Sequence, residues 1–184
     1  NPAHLALARL ENEGIVKSVI TQNIDGLHDR AGSTDVLPIH GTLQRYKCFF
    51  DCLGQPTYID ADDLDAVDPE AGTPLCPYCG RWVRSDVVWF GEMLPAALID
   101  RAMIEVRIAD VLLVVGTSGV IQPAASLPYV ARRSGTQVID VNPQRNGITD
   151  VVDLWLKGPA GVVLPQVVDA IRLMWEQAGA NCGD

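Results

Sequence analysis

The chain has 184 residues, of which 48% are hydrophobic and 20% charged, with a formal net charge of −9 at pH 7. This length and apolar content can bury one sizeable core and a smaller second one, so we expect one or two domains. The acidic balance speaks against direct binding of nucleic acid, which requires clustered Lys and Arg, and suits a cationic partner such as a lysine-bearing peptide. No window approaches the roughly 18 apolar residues of a membrane span and no signal peptide is recognisable, so a cytoplasmic protein without membrane contact is expected.

The first residues predict a helix followed by a strand. Asn1 is suited to cap the helix, Pro2 to occupy its first turn and Gly14 to end it. The segment IVKSVIT, residues 15–21, then has the pattern of a short strand. This strand leads into the polar sequence TQNID, an unusual concentration of amide and carboxylate groups in a chain this apolar.

Four of the five cysteines fall in a single window after this strand. They form two close pairs, Cys48 with Cys52 and Cys76 with Cys79, a spacing that matches the two knuckles of a tetrahedral zinc site. The acidic segment between the pairs, IDADDLDAVDPEAG, is predicted to be a solvated loop. Disulfides would need an oxidising compartment, and a redox-active CPYC would need a strand feeding a helix rather than the turn that Gly80 indicates. Four thiolates leave zinc no open position, so a structural zinc is the prediction.

Beyond the cysteines the chain alternates between helices and strands. Helical patterns cover residues 96–108, about 123–134 and 161–178, and strand patterns cover ADVLLVVGTS, TQVIDVNP and VVDLWLKG. The continuous apolar run in the first of these strands is typical of a parallel strand covered on both faces. Together they predict an α/β fold with a doubly wound parallel sheet.

Small or polar residues follow three of the predicted strands. They are TQNID after the first, GTSG after the second and NPQ after the third. Ligands of doubly wound sheets bind outside the carboxyl ends of the strands. One such segment is often an ordinary loop, but three at equivalent positions favour a nucleotide site.

A set of motifs in fixed order carries a family resemblance. TQNIDGLH, IHGTL, the two cysteine pairs, VVWFGEMLP, VVGTSGVIQPAASLP and IDVNP together resemble the sirtuins, the NAD-dependent protein lysine deacylases. The resemblance covers residues 20 to about 160. It implies a Rossmann-type NAD-binding domain, residues 1–40 and 89–184, with an inserted zinc-binding module, residues 41–88. NAD and an acyl-lysine protein or peptide would bind in the cleft between them.

The same resemblance assigns residues to NAD. Gln22, Asn23, Ile24 and Asp25 would surround the nicotinamide end, where amide and carboxylate groups can pair with the carboxamide. Residues of three later segments would contact the ribose and adenine: Gly116, Thr117, Ser118, Asn142, Pro143, Gln144 and Ala160. We interpret Thr21 and His28 instead as residues of a turn and of a helix start.

The implied reaction needs a base. The acyl oxygen of the substrate attacks the anomeric carbon as nicotinamide leaves, and a histidine then deprotonates a ribose hydroxyl; the products are nicotinamide, O-acyl-ADP-ribose and free lysine. His40 stands at the matching position, and imidazole can take and return a proton near neutral pH. Asn23 and Asp25 are the other catalytic candidates because they would place the leaving nicotinamide.

Two segments match those that hold the peptide in sirtuins as an added strand. Their substrate-binding candidates are Val88, Trp89, Phe90, Gly91, Glu92, Gly119 and Val120. Main-chain pairing contacts few side chains of the peptide, which implies broad tolerance of substrate sequence. Trp89 and Phe90 fit an ordinary interdomain core equally well.

The sequence has no counterpart to the N-terminal part of the sirtuin pattern. The Gly-rich GAGxS loop for the pyrophosphate and the Arg-bearing cofactor loop have no counterpart in the sequence, so we expect an N-terminally incomplete chain that binds NAD poorly by itself. The residues that would select between acetyl and acidic acyl groups belong to the same absent part. The alternative is a non-catalytic, zinc-containing nucleotide-binding homologue.

Overall fold

A computed structural model describes residues 1–54, 56–64 and 72–180, with side chains through residue 177. The helices are α1 (Pro2–Asn12), α2 (Leu27–Ala31), α3 (Ala96–Ile108), α4 (Leu127–Arg133) and α5 (Ala160–Ala180). The strands are β1 (Val19–Thr21), β2 (Val36–Pro38), β3 (Gly41–Cys48), β4 (Tyr58–Ile59), β5 (Val83–Val87), β6 (Val111–Val115), β7 (Gln137–Asn142) and β8 (Leu154–Lys157). Part of the predicted acidic loop and the fifth cysteine, Cys182, lie outside the described residues.

The chain packs as two compact units. Unit 1 comprises Asn1–Ile20, Leu27–Leu37 and the chain from Ala96 onwards, and unit 2 comprises Thr21–Gly26 and Pro38–Pro95. Each unit is therefore built from separate stretches of sequence. The domain boundaries expected from the sirtuin resemblance, 1–40 with 89–184 and 41–88, stay a prediction.

Unit 1 contains a parallel sheet with helices on both faces. Its strands run in the order β6, β7, β8, and β7 pairs in parallel with both neighbours. Side chains of β6 alternate between two cores: Leu113 and Val115 pack with α1 and α5, whereas Leu112 and Val114 pack with α3 and α4. On β7, Val141 joins the first core and Val138 the second. This arrangement confirms the predicted doubly wound α/β fold.

The helix ends follow the predicted signals. The Oδ1 atom of Asn1 accepts a hydrogen bond of 2.9 Å from the backbone N–H of Ala3, as a helix cap does. Gly14 follows α1 with φ of 74°, and α3 covers residues 96–108 as predicted. No helix in the described parts of the chain is both long and apolar enough to cross a bilayer.

Several predicted elements are shorter in the structure, three of them for an identifiable local reason. The strand IVKSVIT reduces to β1, because the N–H groups of Ile15 and Val16 donate to the carbonyl of Leu10 and close α1 instead. The helix predicted near 123 begins at Leu127 after a 3₁₀ turn, which places Pro128 in the first turn, where its missing N–H costs nothing. The strand VVDLWLKG reduces to β8 because Thr149–Val151 form a 3₁₀ turn before it.

Unit 2 contains an antiparallel sheet in the order β4, β3, β5. Its core includes Cys48, Cys76 and Val83, together with two residues of the acidic segment, Ile59 and Leu64. The prediction that this whole segment is a solvated loop is therefore wrong at its start, where Ile59 belongs to β4 and is only 3% exposed.

Candidate functional site

The four clustered cysteines have the dimensions of a zinc site. All four Sγ atoms lie within 4.8 Å of one another, with Cys48 to Cys79 at 3.7 Å and Cys52 to Cys76 at 3.8 Å. Zinc–sulfur bonds of about 2.3 Å in a tetrahedron place the sulfurs about 3.8 Å apart. All four are free thiols, which excludes the disulfide alternative in this structure. The donor set therefore fits a structural zinc ion.

The second cysteine pair lies on a tight turn. Cys76 donates its N–H to the carbonyl of Arg81 at 2.6 Å, and the N–H of Gly80 donates to the carbonyl of Cys76 at 2.8 Å. Leu75 forms an antiparallel bridge with Trp82 across this turn. CPYC thus stands at a turn between extended segments, the setting of a zinc knuckle rather than of a thiol oxidoreductase motif.

The thiols influence one another electrostatically. Burial opposes ionisation of Cys48, but hydrogen bonds from the backbone N–H groups of Cys52 and Phe50 bring its pKa down to about 7. Desolvation of the sulfur and its neighbours Cys79 and Cys76 raise the pKa of Cys52 to about 12. Ionisation of Cys48 is therefore easy, and its negative charge opposes ionisation of a second thiol. A bound divalent cation would offset this repulsion between thiolates.

His40, the predicted base, is oriented by the main chain. Its Nδ1 atom lies 2.9 Å from the carbonyl oxygen of Gln22. A carbonyl oxygen can only accept, so Nδ1 carries the proton in this contact, and in the neutral ring Nε2 keeps the lone pair. The carbonyl of His40 accepts a second bond of 2.9 Å from the N–H of Val88. The half-buried imidazole thus offers Nε2 as a proton acceptor.

The polar segment after β1 packs against the start of β3. The N–H of Leu43 donates to the carbonyl of Ile24 at 2.9 Å, at a register shift in β3 between Thr42 and Tyr46. Thr21 forms the turn itself, because its Oγ1 accepts from the N–H of Asn23 at 3.1 Å. These bonds bring the four candidates for the nicotinamide end into the same unit as His40, and two of them, Asn23 and Asp25, are exposed.

Gly41 makes the approach of β3 to β5 possible beside His40. Its φ is 79°, and a Cβ atom at this position would lie 1.9 Å from the backbone carbonyl oxygen of Asp86. No other residue type fits that backbone contact without moving a strand. Gly41 is thus a requirement for the placement of His40, although it was not among the predicted site residues.

The predicted peptide-binding segment Val88–Glu92 follows β5. Its turn is closed by the carboxylate of Glu92, which accepts a 2.9 Å hydrogen bond from the N–H of Trp89. Trp89 is 50% exposed, and Phe90 is fully exposed, so neither is buried in the core of unit 2. Their alternative interpretation as interdomain core stays a prediction.

The remaining predicted residues belong to unit 1. Gly116 follows β6 with φ of 62°, is exposed, and has open space where a Cβ would stand, which leaves its backbone accessible to a ligand. Asn142, at the end of β7, donates from Nδ2 to the carbonyl of Thr117 at 2.9 Å, and Ser118 accepts from Gly147 at 3.0 Å. The other candidates of this unit are Gly119, packed tightly against Ile148; the exposed Val120, Pro143 and Gln144; and Ala160, the first residue of α5.

A buried polar pair that sequence reasoning missed supports this turn. Asp140 is fully buried on β7, and its Oδ2 accepts a 2.9 Å bond from Asn146, whose Nδ2 also donates to the carbonyl of Thr117 at 3.2 Å. Burial raises the pKa of Asp140, and its Oδ1 has no hydrogen-bond partner among the described residues. The sequence feature that could have revealed this pair is Asp140 itself, an acidic residue inside the otherwise largely apolar strand QVIDVN.

Comparison with known proteins places the chain among named relatives. A Sir2 family model matches residues 1–123. An NAD-dependent protein deacylase of Thermococcus kodakarensis is 45% identical over 172 residues, covering 94% of this chain and 66% of the relative. NAD-dependent protein deacylase 1 of Pseudomonas aeruginosa is 46% identical, covering 91% and 67%.

Two solved structures extend the comparison. A Sir2 homolog in complex with NAD has a TM-score of 0.85 at 42% identity, covering 95% of this chain and 65% of that one. A Sir2 complex with a p53 peptide and NAD⁺ has a TM-score of 0.83 at 34% identity, covering 94% and 70%. The chain thus spans about two thirds of the length of the curated relatives that it matches.

Proposed function

The chain belongs to the Sir2 family, and from that premise we propose that it carries most of the site for NAD-dependent removal of acyl groups from protein lysine side chains. The proposal concerns the protein to which these 184 residues belong. Acyl-lysine proteins or peptides would be its substrates, with nicotinamide, O-acyl-ADP-ribose and free lysine as products. The names of the relatives, NAD-dependent protein deacylases, support this activity.

The hydrogen bond between His40 and Gln22 is the observation that carries the proposal. It leaves the lone pair on Nε2, the nitrogen that does not contact the main chain. In the proposed reaction Nε2 takes the proton of a ribose hydroxyl and returns it later in the cycle. Because the carbonyl of Gln22 is fixed, the ring needs no reorientation between these two steps.

Asn23 and Asp25 are proposed to hold the carboxamide of the nicotinamide group. Both side chains are exposed in unit 2, beside the main-chain segment that contacts His40. NAD, when bound, supplies the ribose carbon at which the acyl oxygen reacts. In unit 1, the open backbone at Gly116 and the exposed Ser118 are proposed to contact the ribose of the adenosine half.

Zinc is proposed to bind Cys48, Cys52, Cys76 and Cys79 in a structural role. The antiparallel strands β3 and β5 join the cysteine cluster to the segment of His40: Cys48 pairs with Val83 at one end, and Gly41 with Val87 at the other. Val83 and Val87 are four residue steps apart along β5, about 13 Å at 3.3 Å per residue. At that distance a metal with four thiolate ligands organises the strands and takes no part in proton transfer.

Release of nicotinamide that depends on an acetyl-lysine peptide tests the function. We expect such release from the wild-type protein, and a fall of about 10²- to 10⁴-fold in turnover for His40→Ala, the usual effect of losing a positioned acid–base group. Calorimetric titration with ADP is the control, because ADP carries the adenosine ribose proposed to contact unit 1 and lacks the second ribose, whose hydroxyl is proposed to contact His40. Peptide-independent release, or unchanged turnover of His40→Ala, would contradict the proposed mechanism.

A further inference from the structure

The side chain of Arg84 joins three parts of one turn. Its guanidinium donates to both carboxylate oxygens of Glu92, at 2.6 and 2.8 Å, and to the carbonyl of Val87 at the end of β5. The same group lies over the indole of Trp89, with the guanidinium carbon 3.8 Å from the ring centroid. Arg84 itself precedes this turn, on β5, and its side chain is only 10% exposed.

The chemistry of these contacts is specific to arginine. Two parallel N–H groups meet the two oxygens of Glu92, the planar face stacks on Trp89, and a further hydrogen bond reaches a main-chain carbonyl. A lysine at this position would keep the charge. Its ammonium group could not bind both oxygens of Glu92 and stack on the ring of Trp89 at the same time. The pairing is strong enough to lower the pKa of Glu92 to about 2.

The turn that Arg84 holds is also connected to the predicted base. Val88, directly after the carbonyl that Arg84 contacts, donates its N–H to the carbonyl of His40 at 2.9 Å. One residue earlier, Val87 pairs with Gly41. A change in the course of the chain after Val87 would therefore displace the peptide group of His40 as well.

We propose that Arg84 is a positioning residue for peptide binding: with Glu92 it fixes the segment Val88–Glu92 in the conformation that receives the acyl-lysine peptide, and through Val88 it steadies His40. This inference rests on the proposed function, because it assigns the peptide to that segment. Arg84 contacts no reacting atom; it acts through main-chain groups of its neighbours. Its loss should weaken binding of the peptide and leave binding of NAD unchanged.

The test compares Arg84→Lys and Glu92→Gln with Arg45→Gln. Arg45 is the matched control, because it also forms an ion pair within this sheet, with Asp86, but does not contact the segment Val88–Glu92. Affinity for an acetyl-lysine peptide is measured by calorimetry without NAD, and KM for peptide and for NAD is measured during turnover. We expect both variants at Arg84 and Glu92 to lose about tenfold or more in peptide affinity, the loss of one charged hydrogen-bonded pair. The KM for NAD should stay within about twofold, and Arg45→Gln should match the wild type.

Two further readouts separate positioning from simple stabilisation. Amide hydrogen exchange at Val88 should quicken in Arg84→Lys and stay slow in Arg45→Gln. The double variant Arg84→Lys with Glu92→Gln should lose little more than either single variant if the two residues act as one unit. A purely structural ion pair would instead lower Tm and change KM for NAD and peptide in parallel, which would overturn the inference, as would unchanged peptide affinity.

Failure of the proposed function gives a different result. A wild-type protein that binds the acetyl-lysine peptide but releases no nicotinamide would contradict deacylation, while the calorimetric comparison still decides the role of Arg84. A wild-type protein that binds no acyl-lysine peptide would overturn both proposals.

Discussion

The carboxylate of Glu92 remains ionised to unusually low pH. Hydrogen bonds from Arg84 are the main cause, joined by the N–H of Trp89 and by the positive charge of Lys47, and they lower its pKa from 4.5 to about 2. A lowered pKa in the folded state means that the carboxylate stabilises the fold fully above about pH 4.5, and that this contribution disappears as the pH falls towards 2. Its size is modest, about 0.2–1 kcal/mol, because the side chain of Glu92 is 38% exposed.

Urea unfolding of wild type and Glu92→Gln at several pH values measures this contribution. We expect the difference in unfolding free energy to be constant from pH 5 to 8 and to shrink between pH 4.5 and 2. A difference that persists unchanged at pH 2 would show that Glu92 acts through packing rather than through its charge.

Sequence reasoning found some residues of the candidate site and missed others for a physical reason. His40 stands in a short motif, IHGTL, and can be recognised without knowing what it contacts. Arg84 and Asp140 were missed because their importance comes from partners brought together by folding: a turn closes Arg84 onto Glu92, and a loop returns Asn146 to Asp140. The orientation of His40 by Gln22 likewise depends on pairing between segments 18 residues apart.

Among the elements, the contact of β3 with β5 is the most sensitive to substitution. Gly41→Ala would place a Cβ atom 1.9 Å from the carbonyl oxygen of Asp86, so the strands must separate. We expect a loss of more than about 3 kcal/mol in unfolding free energy, beyond the roughly 1–2 kcal/mol for a left-handed conformation alone. Chemical denaturation measures the loss.

Gly91→Ala is the matched control for this prediction. Gly91 lies in the same unit and has φ of 90°, but a Cβ there meets no atom within 4 Å, so only the conformational cost applies. Equal losses for the two variants would mean that β3 moves away from β5 without resistance.

The sequence predicted long elements better than short ones. The bounds of α3 matched because residues 96–108 repeat their apolar positions with helical spacing throughout. By contrast β2 and β4, of three and two residues, exist through pairing with β1 and β3 rather than through a pattern of their own. The acidic residues around Ile59 concealed β4, since nothing local distinguishes that isoleucine from one in a loop.

At the scale of the whole molecule, the two units have separate cores. The cores of unit 1 lie on the two faces of the parallel sheet, whereas that of unit 2 includes the metal-ligand candidates Cys48 and Cys76. Structural zinc contributes on the order of 10 kcal/mol in small metal modules. We therefore expect zinc removal by a chelator to unfold unit 2 and to leave the sheet of unit 1 in place.

Metal analysis combined with hydrogen exchange checks this expectation. One zinc per chain should be present before chelation, and afterwards the amides of β3 and β5 should exchange rapidly while those of β6 and β7 remain protected. Cys76→Ser should reproduce the result without a chelator. Protected β3 amides after complete loss of zinc would show that the cysteine core is stable alone.

Both groups that hold His40 belong to the peptide backbone. The carbonyl at position 22 is supplied by any amino acid, and the N–H at position 88 by any amino acid except proline. Substitution of the side chains at those two positions, except by proline at position 88, therefore leaves the hydrogen bonds that orient the proposed base in place. The side chains of Gln22 and Val88 can change while these main-chain bonds keep the tautomer and the direction of the imidazole.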